Sequence, residues 1–491
     1  MKTSEIIVFI VYLLCMLGIG IFFFVKNRNG GEKTYFLGGR EMGPWVAALS
    51  AGASDMSAWV LMGLPTSIYA LGLGQVWIPV GLAIGYTISW LLEAPRLRKF
   101  SIVANDSITI PQYLTNRFLS KSLALQVICA IVFLVAYTIY AASSVKACGT
   151  LFHTVIGMDP QIAMYLAAVV IVGYTFLGGF SAVCWTDFFQ GMLVLGSMFI
   201  APIFAAFMLD TSSMSSLPGG YLNPFSSWQD IVSGLAWGLG YFGMPHILVR
   251  FMAIRDPQEV KKSRNIAMIW VLISLSVAVC IGFTGAALYP NVAELAGNGN
   301  QRIFIYMTTH LFKGLIPLFM AGIILSGILA ATMSTSDSQL LIASSCVSKN
   351  LFQGLFKKEM SEEKVLLISR ITTIVIALIG IFIAMDENSS VFGLVENAWA
   401  GFGGAFGPLT LFALFWKRTN LKGAIAGMLS GGIIALVWPF TLAKLGGIFE
   451  IYCLLPAFIV SSILIIVVSL CTEEPSEVMA EEFERAKSLN D

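Results

Sequence analysis

Three aspartates, Asp55, Asp187 and Asp337, lie deep inside long apolar segments of this sequence. An ionised carboxylate in the hydrocarbon of a membrane costs at least ~2.5–3.5 kcal/mol on insertion scales, so it normally faces a cavity or a partner. Binding a cation is the chemistry that such groups most directly offer. Two further carboxylates, Glu93 and Glu396, lie closer to the ends of their segments.

Asp337 stands in a stretch that is dense in hydroxyl groups, Ala330–Gln339, which reads AATMSTSDSQ. Hydroxyl groups in a helix can bond back to carbonyls of the preceding turn, which is the simple explanation. A hydroxyl-dense turn beside a carboxylate is also suited to surround sodium with oxygen atoms. The sequence has no cluster of His or Cys for zinc or copper, and a calcium site would need several converging carboxylates. Protons stay open as the coupling ion, because a buried aspartate can titrate.

Two apolar segments carry residues that interrupt a helix. Ala48–Trp59 surrounds Asp55 with small and hydroxyl residues, and Trp237–Pro245 (WGLGYFGMP) holds three glycines and a proline. Glycine and proline within so short a stretch disfavour a continuous helix. Non-helical backbone at membrane depth is tolerated where it lines a cavity, and its freed carbonyls and N–H groups can bind a cation or a carboxylate. A packing kink without a ligand is the alternative.

The composition predicts that these features belong to a polytopic, all-α membrane protein. Hydrophobic residues make up 57% of the 491 residues and charged residues only 12%, against roughly a quarter charged in a globular domain. Runs of about 20 apolar residues, the length that spans a bilayer, follow one another along the chain. About 13 transmembrane helices fit these runs, with approximate limits 5–25, 45–71, 74–97, 122–147, 161–180, 187–209, 230–249, 266–289, 315–345, 363–385, 397–416, 422–443 and 451–471.

Basic residues alternate between the predicted loops. Loops 26–44, 96–121 and 250–265 collect Lys and Arg, whereas loops 148–160 and 210–229 contain none. Cytoplasmic loops are the ones that collect basic residues. With an odd number of spans, the pattern predicts an N-terminus outside the cell and a C-terminus in the cytoplasm.

The predicted spans fall into two matching sets. Spans two to six and spans seven to eleven each open with an interrupted helix, and the odd offset inverts the second set, as in inverted-repeat transporters. The resulting division is 1–44 for the first helix and its loop, 45–209 for the first repeat, 210–416 for the second, 417–471 for two further helices and 472–491 for an acidic cytoplasmic tail. The tail is predicted to be solvated and mobile.

Four long motifs carry a resemblance to a known family. They are Ala47–Pro65 (AALSAGASDMSAWVLMGLP), Trp237–Ala253 (WGLGYFGMPHILVRFMA), Leu329–Leu341 (LAATMSTSDSQLL) and Ala398–Pro408 (AWAGFGGAFGP). In these motifs the sequence resembles the sodium/solute symporter family over nearly its whole length, and most nearly the bacterial, proline-transporting members. The resemblance implies a five-plus-five inverted repeat of the leucine-transporter type with flanking helices.

The resemblance also implies a set of ligands for the coupling ion. The sodium site would be formed by the carbonyls of Ala53, Met56 and Ala331 and by the hydroxyls of Ser334 and Thr335. Asp55 and Ser57 resemble residues that support ion binding in proline symporters. A second ion site of some relatives matches Asp187 and Ser338, with Asp337 where several relatives have a serine. This departure leaves open whether the second site takes sodium, a proton or nothing.

For the substrate, the resemblance implies an aromatic site on the fourth and seventh spans. Its residues would be Tyr140, Trp237, Tyr241, Phe242 and Pro245. Aromatic faces can cover the proline ring and stabilise its ammonium by roughly 0.5–2 kcal/mol. Ordinary core or interface packing is the alternative for each ring. Arg40 resembles a residue linked to coupling and gating in the family, and a cytoplasmic anchor is its alternative.

The expected function is therefore sodium-coupled symport of L-proline by alternating access, in a bacterial-type cytoplasmic membrane. Sodium is the expected coupling ion, with no other cofactor, no nucleic acid and no obligate protein partner. A symporter of the same fold for another small solute, or a proton-coupled variant, is the alternative. An enzyme, an ATP-driven pump or a sensor is disfavoured, because the sequence shows no Walker A motif and no separate soluble domain.

Overall fold

The computed structural model describes residues 3–26, 32–290, 292–312, 315–353, 361–386 and 388–489, and most of these residues are helical. Helices satisfy their own backbone groups, which is what a chain buried in lipid requires. The main helices are α1 Thr3–Lys26, α2 Pro44–Ala58, α3 Leu64–Leu71, α4 Trp77–Ile88, α5 Ala94–Val103, α6 Ile110–Arg117, α7 Ala124–Ile156, α8 Pro160–Ala206, α9 Trp228–Ala236, α10 Pro245–Ala253, α11 Val260–Leu288, α12 Ile303–Leu311, α13 Leu315–Ser345, α14 Glu362–Ala384, α15 Val391–Phe415, α16 Leu421–Val437, α17 Leu454–Cys471 and α18 Glu477–Ser488.

The predicted all-α membrane architecture is confirmed. Among the described residues, nine helices are long and apolar enough to cross a membrane, and the bent pair Trp228–Phe242 and Pro245–Ala253 makes a tenth. Two shorter apolar helices, Ile7–Phe23 and Pro160–Gly173, fall where predicted spans lie. The number thirteen and the limits of the two repeats stay predictions, because length and composition do not establish them.

Both predicted interruptions exist. The first lies between α2 and α3, where Ser57 has a left-handed φ of 41° and residues Trp59–Gly63 form a wide helical turn. The second lies between α9 and α10, where Trp237–Phe242 form a tight 3-10 turn and the two helices differ in direction by 44°. Each break frees backbone groups inside the bundle, which is the condition for a buried polar site.

The glycines of the second break serve a close helix approach. A Cβ on Gly238 would lie 2.1 Å from the Gly81 carbonyl oxygen, and a Cβ on Gly85 would lie 2.0 Å from the Gly238 carbonyl oxygen. Any side chain at these positions would force α4 away from the break. The glycines therefore fix the position of the aromatic residues that follow Gly238.

Helix α13 lies at the centre of the bundle and packs against α8, α2, α1 and α7. The predicted fifth and sixth spans form one helical stretch, α8, which is interrupted at Gly179 with φ 59° and ψ 179°. In this arrangement the hydroxyl-rich face of α13 meets the interrupted end of α2. Side chains from 330 to 345 on α13 are buried.

The acidic tail differs from its prediction as a mobile end. Residues Glu477–Ser488 form helix α18, whose Phe483 is 5% exposed and packs edge-on against Phe100 of α5, with ring centroids 5.3 Å apart. The Arg117 guanidinium lies 5.0 Å from the centre of the same ring. The tail is ordered because apolar residues on one face of its helix bury against α5 and α6.

Candidate functional site

The predicted sodium ligands meet where the end of α2 lies against α13. The Ser334 hydroxyl donates to the Ala53 carbonyl at 2.9 Å and the Thr335 hydroxyl lies 3.3 Å from the same oxygen. Both hydroxyls also lie within 3.2 Å of the Ala331 carbonyl. Because a hydroxyl has one proton, neither can satisfy both carbonyls at once. Four oxygen atoms, two of carbonyls and two of hydroxyls, thus converge in a fully buried place.

Met56 is the fifth predicted ligand, and its carbonyl has a different neighbour. It accepts a hydrogen bond from the Trp59 amide in the turn that follows α2. The Ser57 hydroxyl accepts from the same amide at 3.0 Å. Ser57 thereby stabilises the break itself, which is a supporting role rather than a direct contact with Ser334 or Thr335.

Asp55 connects α2 to the second break. Its side chain is 5% exposed, and one carboxylate oxygen accepts a hydrogen bond from the Tyr241 hydroxyl at 2.7 Å. The Tyr140 hydroxyl donates to the Asp55 backbone carbonyl at 3.4 Å. The two interrupted segments and α7 therefore meet around this residue.

A narrow cavity of about 10 Å³, with room for roughly one water molecule, lies beside Asp55. Its lining residues are Asp55, Met56, Trp59, Leu82, Tyr140, Trp237, Tyr241, Val395 and Trp399. This volume is far below the roughly 300–1,000 Å³ of pockets that hold a ligand. A solute can therefore bind here only when the surrounding side chains move apart.

The cavity wall contains three of the five predicted substrate residues and two tryptophans that sequence reasoning missed. Tyr140, Trp237 and Tyr241 line it. Trp59 stacks on Trp237 with ring centroids 5.2 Å apart, and the Trp399 indole N–H donates to the Trp237 carbonyl at 2.9 Å. Both missed tryptophans lie in the long motifs around 47–65 and 398–408, which were available as a signal.

The other two predicted substrate residues lie behind the wall. Phe242 packs against Phe458 with ring centroids 6.3 Å apart, and its carbonyl accepts from the Thr410 hydroxyl. Pro245 begins α10, where a proline fits because the first helical position needs no N–H donor. Both shape the break from which the lining residues project.

The predicted second ion site contains an arginine. Asp187 and Arg250 are both fully buried, and the guanidinium lies 3.0 Å from the carboxylate. The Ser50 hydroxyl donates to the same carboxylate oxygen at 2.7 Å, and the guanidinium donates to the Ser338 hydroxyl at 2.6 Å. The placement of Arg250 in cytoplasmic loop 250–265 is wrong, because the residue belongs to α10 and faces the bundle interior.

Asp337 adjoins this cluster and has no hydrogen-bond partner. It is fully buried, and neither carboxylate oxygen bonds to any atom of the described chain. Arg250 supplies one positive charge against the two carboxylates Asp187 and Asp337. The cluster therefore lacks one positive charge if both carboxylates are ionised.

Arg40 ties the segment before α2 to the end of α10. Its guanidinium donates to Asp106 at 3.0 Å, to the Ser107 carbonyl at 2.8 Å and to the Met252 carbonyl at 2.5 Å. Arg98 of α5 donates to the carbonyl of Ile254, the residue that follows α10. Arg40 and Arg98 belong to the basic residues from which the membrane orientation is predicted. Three others of that set, Arg28, Lys357 and Lys358, lie outside the described residues.

A family model of the sodium:solute symporter family matches residues 35–431. The chain belongs to this family. The match includes both breaks, the whole of α13 and every lining residue of the cavity. Members are transporters, so this protein is a transporter and not an enzyme, and its apolar helices make it a multi-pass membrane protein.

Curated relatives cover nearly the whole chain. The sodium/proline symporter of Escherichia coli K12 is 39% identical over 99% of this chain and 96% of its own length. The sodium/proline symporter of Staphylococcus aureus NCTC 8325 is 39% identical over 98% of this chain and 95% of its own length.

Among solved structures, a Na⁺-coupled sialic acid symporter in a substrate-bound outward-open state has a TM-score of 0.80. The two sequences are 20% identical, and the match covers 97% of this chain and 99% of the sialic acid symporter chain. A nucleobase-cation-symport-1 family transporter has a TM-score of 0.57 at 14% identity, with 92% of this chain and 98% of that chain covered. The fold is thus that of sodium-coupled symporters of the leucine-transporter type, as predicted.

Proposed function

We propose that this protein imports L-proline together with sodium by alternating access. The observation that carries the proposal is the meeting of Ala53, Ser334 and Thr335 directly behind an aromatic cavity of small volume. The names of relatives that share 39% of their residues over nearly the full chain support both solutes.

The proposed sodium site consists of the carbonyls of Ala53, Met56 and Ala331 with the hydroxyls of Ser334 and Thr335. Sodium would be coordinated by the lone pairs of these oxygens and would hold the end of α2 against α13. That contact completes one wall of the cavity and favours the outward-open state. Asp55 and Ser57 support it by fixing the break of α2.

Proline would then widen the cavity and occupy it, so that the rings of Tyr140, Trp237 and Tyr241 cover its apolar face. Phe242 and Pro245 shape the break behind them. Because the cavity lies between both interrupted segments, an occupant draws them together and closes the outer side, and the bundle then rocks inward. Transport of another small solute is the alternative outcome, and competition for uptake distinguishes it from proline transport.

A second cation site at Asp187, Asp337 and Ser338 is also proposed. The two carboxylates exceed the single charge of Arg250, and an uncompensated buried charge is costly. One added cation, with sodium as the candidate, would balance the cluster. The number of sodium ions bound per proline would decide between an occupied and an unoccupied second site.

At the inner face, we propose that Arg40 acts in gating. Its bonds to Asp106 and to the Met252 carbonyl must break for α10 to separate from the segment before α2. We further propose a cytoplasmic membrane location with the N-terminus outside. In a cysteine-free background, an impermeant thiol reagent should label a cysteine at Ser212 in intact cells and one at Lys261 only after permeabilisation. The reverse pattern would contradict this orientation.

Uptake of labelled proline into proteoliposomes tests the function. An inward sodium gradient should drive accumulation, and a proton gradient without sodium should not. Competition by a panel of unlabelled amino acids, sugar acids and vitamins identifies the substrate. Accumulation of another solute in preference to proline, or accumulation driven by protons alone, would overturn the proposal.

A further inference from the structure

Asp55 is a buried carboxylate in a cavity wall with a single neutral partner. The Tyr241 hydroxyl at 2.7 Å is its one side-chain hydrogen bond, and no basic side chain of the described residues pairs with it. A buried carboxylate without a cation is costly unless something supplies the missing charge. Asp55 lines the cavity, so a mobile cation that enters the cavity could reach it.

The contacts of Asp55 separate its carboxylate from the proposed sodium ligands. The carboxylate bonds to Tyr241 in the second break, whereas the Ala53 carbonyl bonds to Ser334 and Thr335 on α13. The oxygens at α13 are neutral carbonyls and hydroxyls, which suit sodium. The charged oxygens of Asp55 stand instead on the side of the aromatic rings.

We infer that the Asp55 carboxylate binds the positively charged nitrogen of the transported solute and thereby selects amino acids over solutes without an ammonium. Tyr140, Trp59 and Trp237 line the same cavity, and a cation beside aromatic faces gains additional stabilisation. The inference rests on the proposed function and names the atom that recognises the substrate class.

This pairing also couples the substrate to closure of the cavity. An ammonium at Asp55 would contact the carboxylate of α2 and lie next to the Tyr241 ring of the second break. The buried charge of Asp55 would then be compensated only while substrate is bound. A solute lacking the ammonium would leave the carboxylate unpaired, so it would be rejected even if its size and ring were right.

The test compares proline with tetrahydrofuran-2-carboxylate, in which an oxygen replaces the ring nitrogen. Binding to the purified full-length protein in saturating sodium is followed by tryptophan fluorescence, since three tryptophans line the cavity. Wild type should prefer proline by about 100-fold or more, the usual effect of breaking a buried charge pair. Asp55→Asn should lower proline affinity by about that factor and change affinity for the oxygen analogue by less than about threefold.

Glu93→Gln is the matched control. Glu93 is also a fully buried carboxylate, but Ser89 and Thr410 hold it and it does not line the cavity. It should keep the preference for proline. An unchanged thermal unfolding midpoint of Asp55→Asn in detergent reports that the variant is folded.

Equal affinity of wild type for proline and the oxygen analogue would overturn the inference without any variant. An unchanged preference in folded Asp55→Asn would overturn it as well. Wild type that binds no proline at all would instead overturn the proposed function, and the inference would fall with it.

Discussion

Two buried carboxylates in this protein, Asp55 and Asp187, meet opposite surroundings. Asp187 has a permanent cation, the Arg250 guanidinium at 3.0 Å, and two hydroxyls donate to the same carboxylate oxygen. Asp55 has one tyrosine hydroxyl and faces a cavity. A carboxylate that is paired with a cation of the fold contributes to stability whether or not a ligand is bound. A carboxylate without such a partner can instead pair with a cation that enters from outside, and its energy then depends on ligand binding.

Their positions on the helices explain the difference. Arg250 lies about one and a half turns into α10. At this position its guanidinium contacts Asp187 of α8 and Ser338 of α13. Tyr241 lies within the break, so the group that reaches Asp55 is a neutral hydroxyl. We expect substitutions in the two regions to act on different properties, stability around Asp187 and ligand affinity around Asp55.

The largest effect is expected from Arg250→Met. Removing the guanidinium leaves Asp187 and Asp337 buried without a counter-charge, which should lower the free energy of unfolding by about 3–5 kcal/mol. Denaturant unfolding in detergent measures the loss. The double variant Arg250→Met, Asp187→Asn should recover much of it. Arg255→Met, which alters an exposed guanidinium on the same side, should leave stability unchanged.

Near the end of α2, Ser334→Ala should raise the sodium half-saturation of uptake by about 10- to 100-fold. The variant loses a buried polar ligand, and hydrogen bonds to charged groups contribute about 1.5–3 kcal/mol. Thr332→Ala is the control, because the Thr332 hydroxyl bonds to the Ile328 carbonyl of its own helix. Similar shifts in both variants would mean that the α13 hydroxyls serve helix geometry rather than an ion.

In the cavity wall, Trp237→Ala should raise the proline half-saturation by about 2- to 30-fold, the equivalent of the 0.5–2 kcal/mol of a cation–π contact. Sodium half-saturation at saturating proline should shift less. Trp185→Ala controls for loss of an indole, because Trp185 packs on Phe23 and Phe188 away from the cavity. Unchanged proline binding in Trp237→Ala would place the substrate elsewhere.

The smallest change in stability is expected from Asp337→Asn. Asp187 and Arg250 balance each other without it, so the free energy of unfolding should stay within about 1 kcal/mol or rise. The sodium dependence of uptake should show a lower Hill coefficient if Asp337 belongs to a second cation site. A large loss of stability would contradict the charge balance that separates the two regions.

Local composition was enough to predict the two breaks and the hydroxyl-rich helix. Glycine, proline and a carboxylate in an apolar run have few physical explanations, so Asp55 and both breaks could be selected from their neighbours alone. The choice of Trp237 and Ser334 came from the family resemblance. Trp59 and Trp399 were missed because an aromatic residue in an apolar motif is equally suited to ordinary packing. Phe242 and Pro245 were assigned to the cavity because sequence distance does not tell which side of a break a residue faces.

Arg250 and the acidic tail show where local reasoning fails. A basic residue near the end of a span is usually a cytoplasmic anchor, and only the path of α10 across α8 and α13 reveals its buried partner. The tail has the charge of a solvated segment, but Met479, Phe483 and Ala486 share a buried helix face. Burial of that face depends on a surface formed by α5 and α6, which the tail sequence does not contain.

The sequence by itself determined that the protein is a helical membrane protein, where its helices break and which side chains could bind a cation. These properties depend on hydrophobicity and backbone propensity, which act over a few neighbouring residues. The tertiary structure decided which carboxylate receives a permanent partner and which faces a cavity. That choice depends on distances between helices far apart in the chain, such as the 3.0 Å between Arg250 and Asp187 and the 2.7 Å between Tyr241 and Asp55. Electrostatic compensation is local in space, so only the packed bundle could assign it.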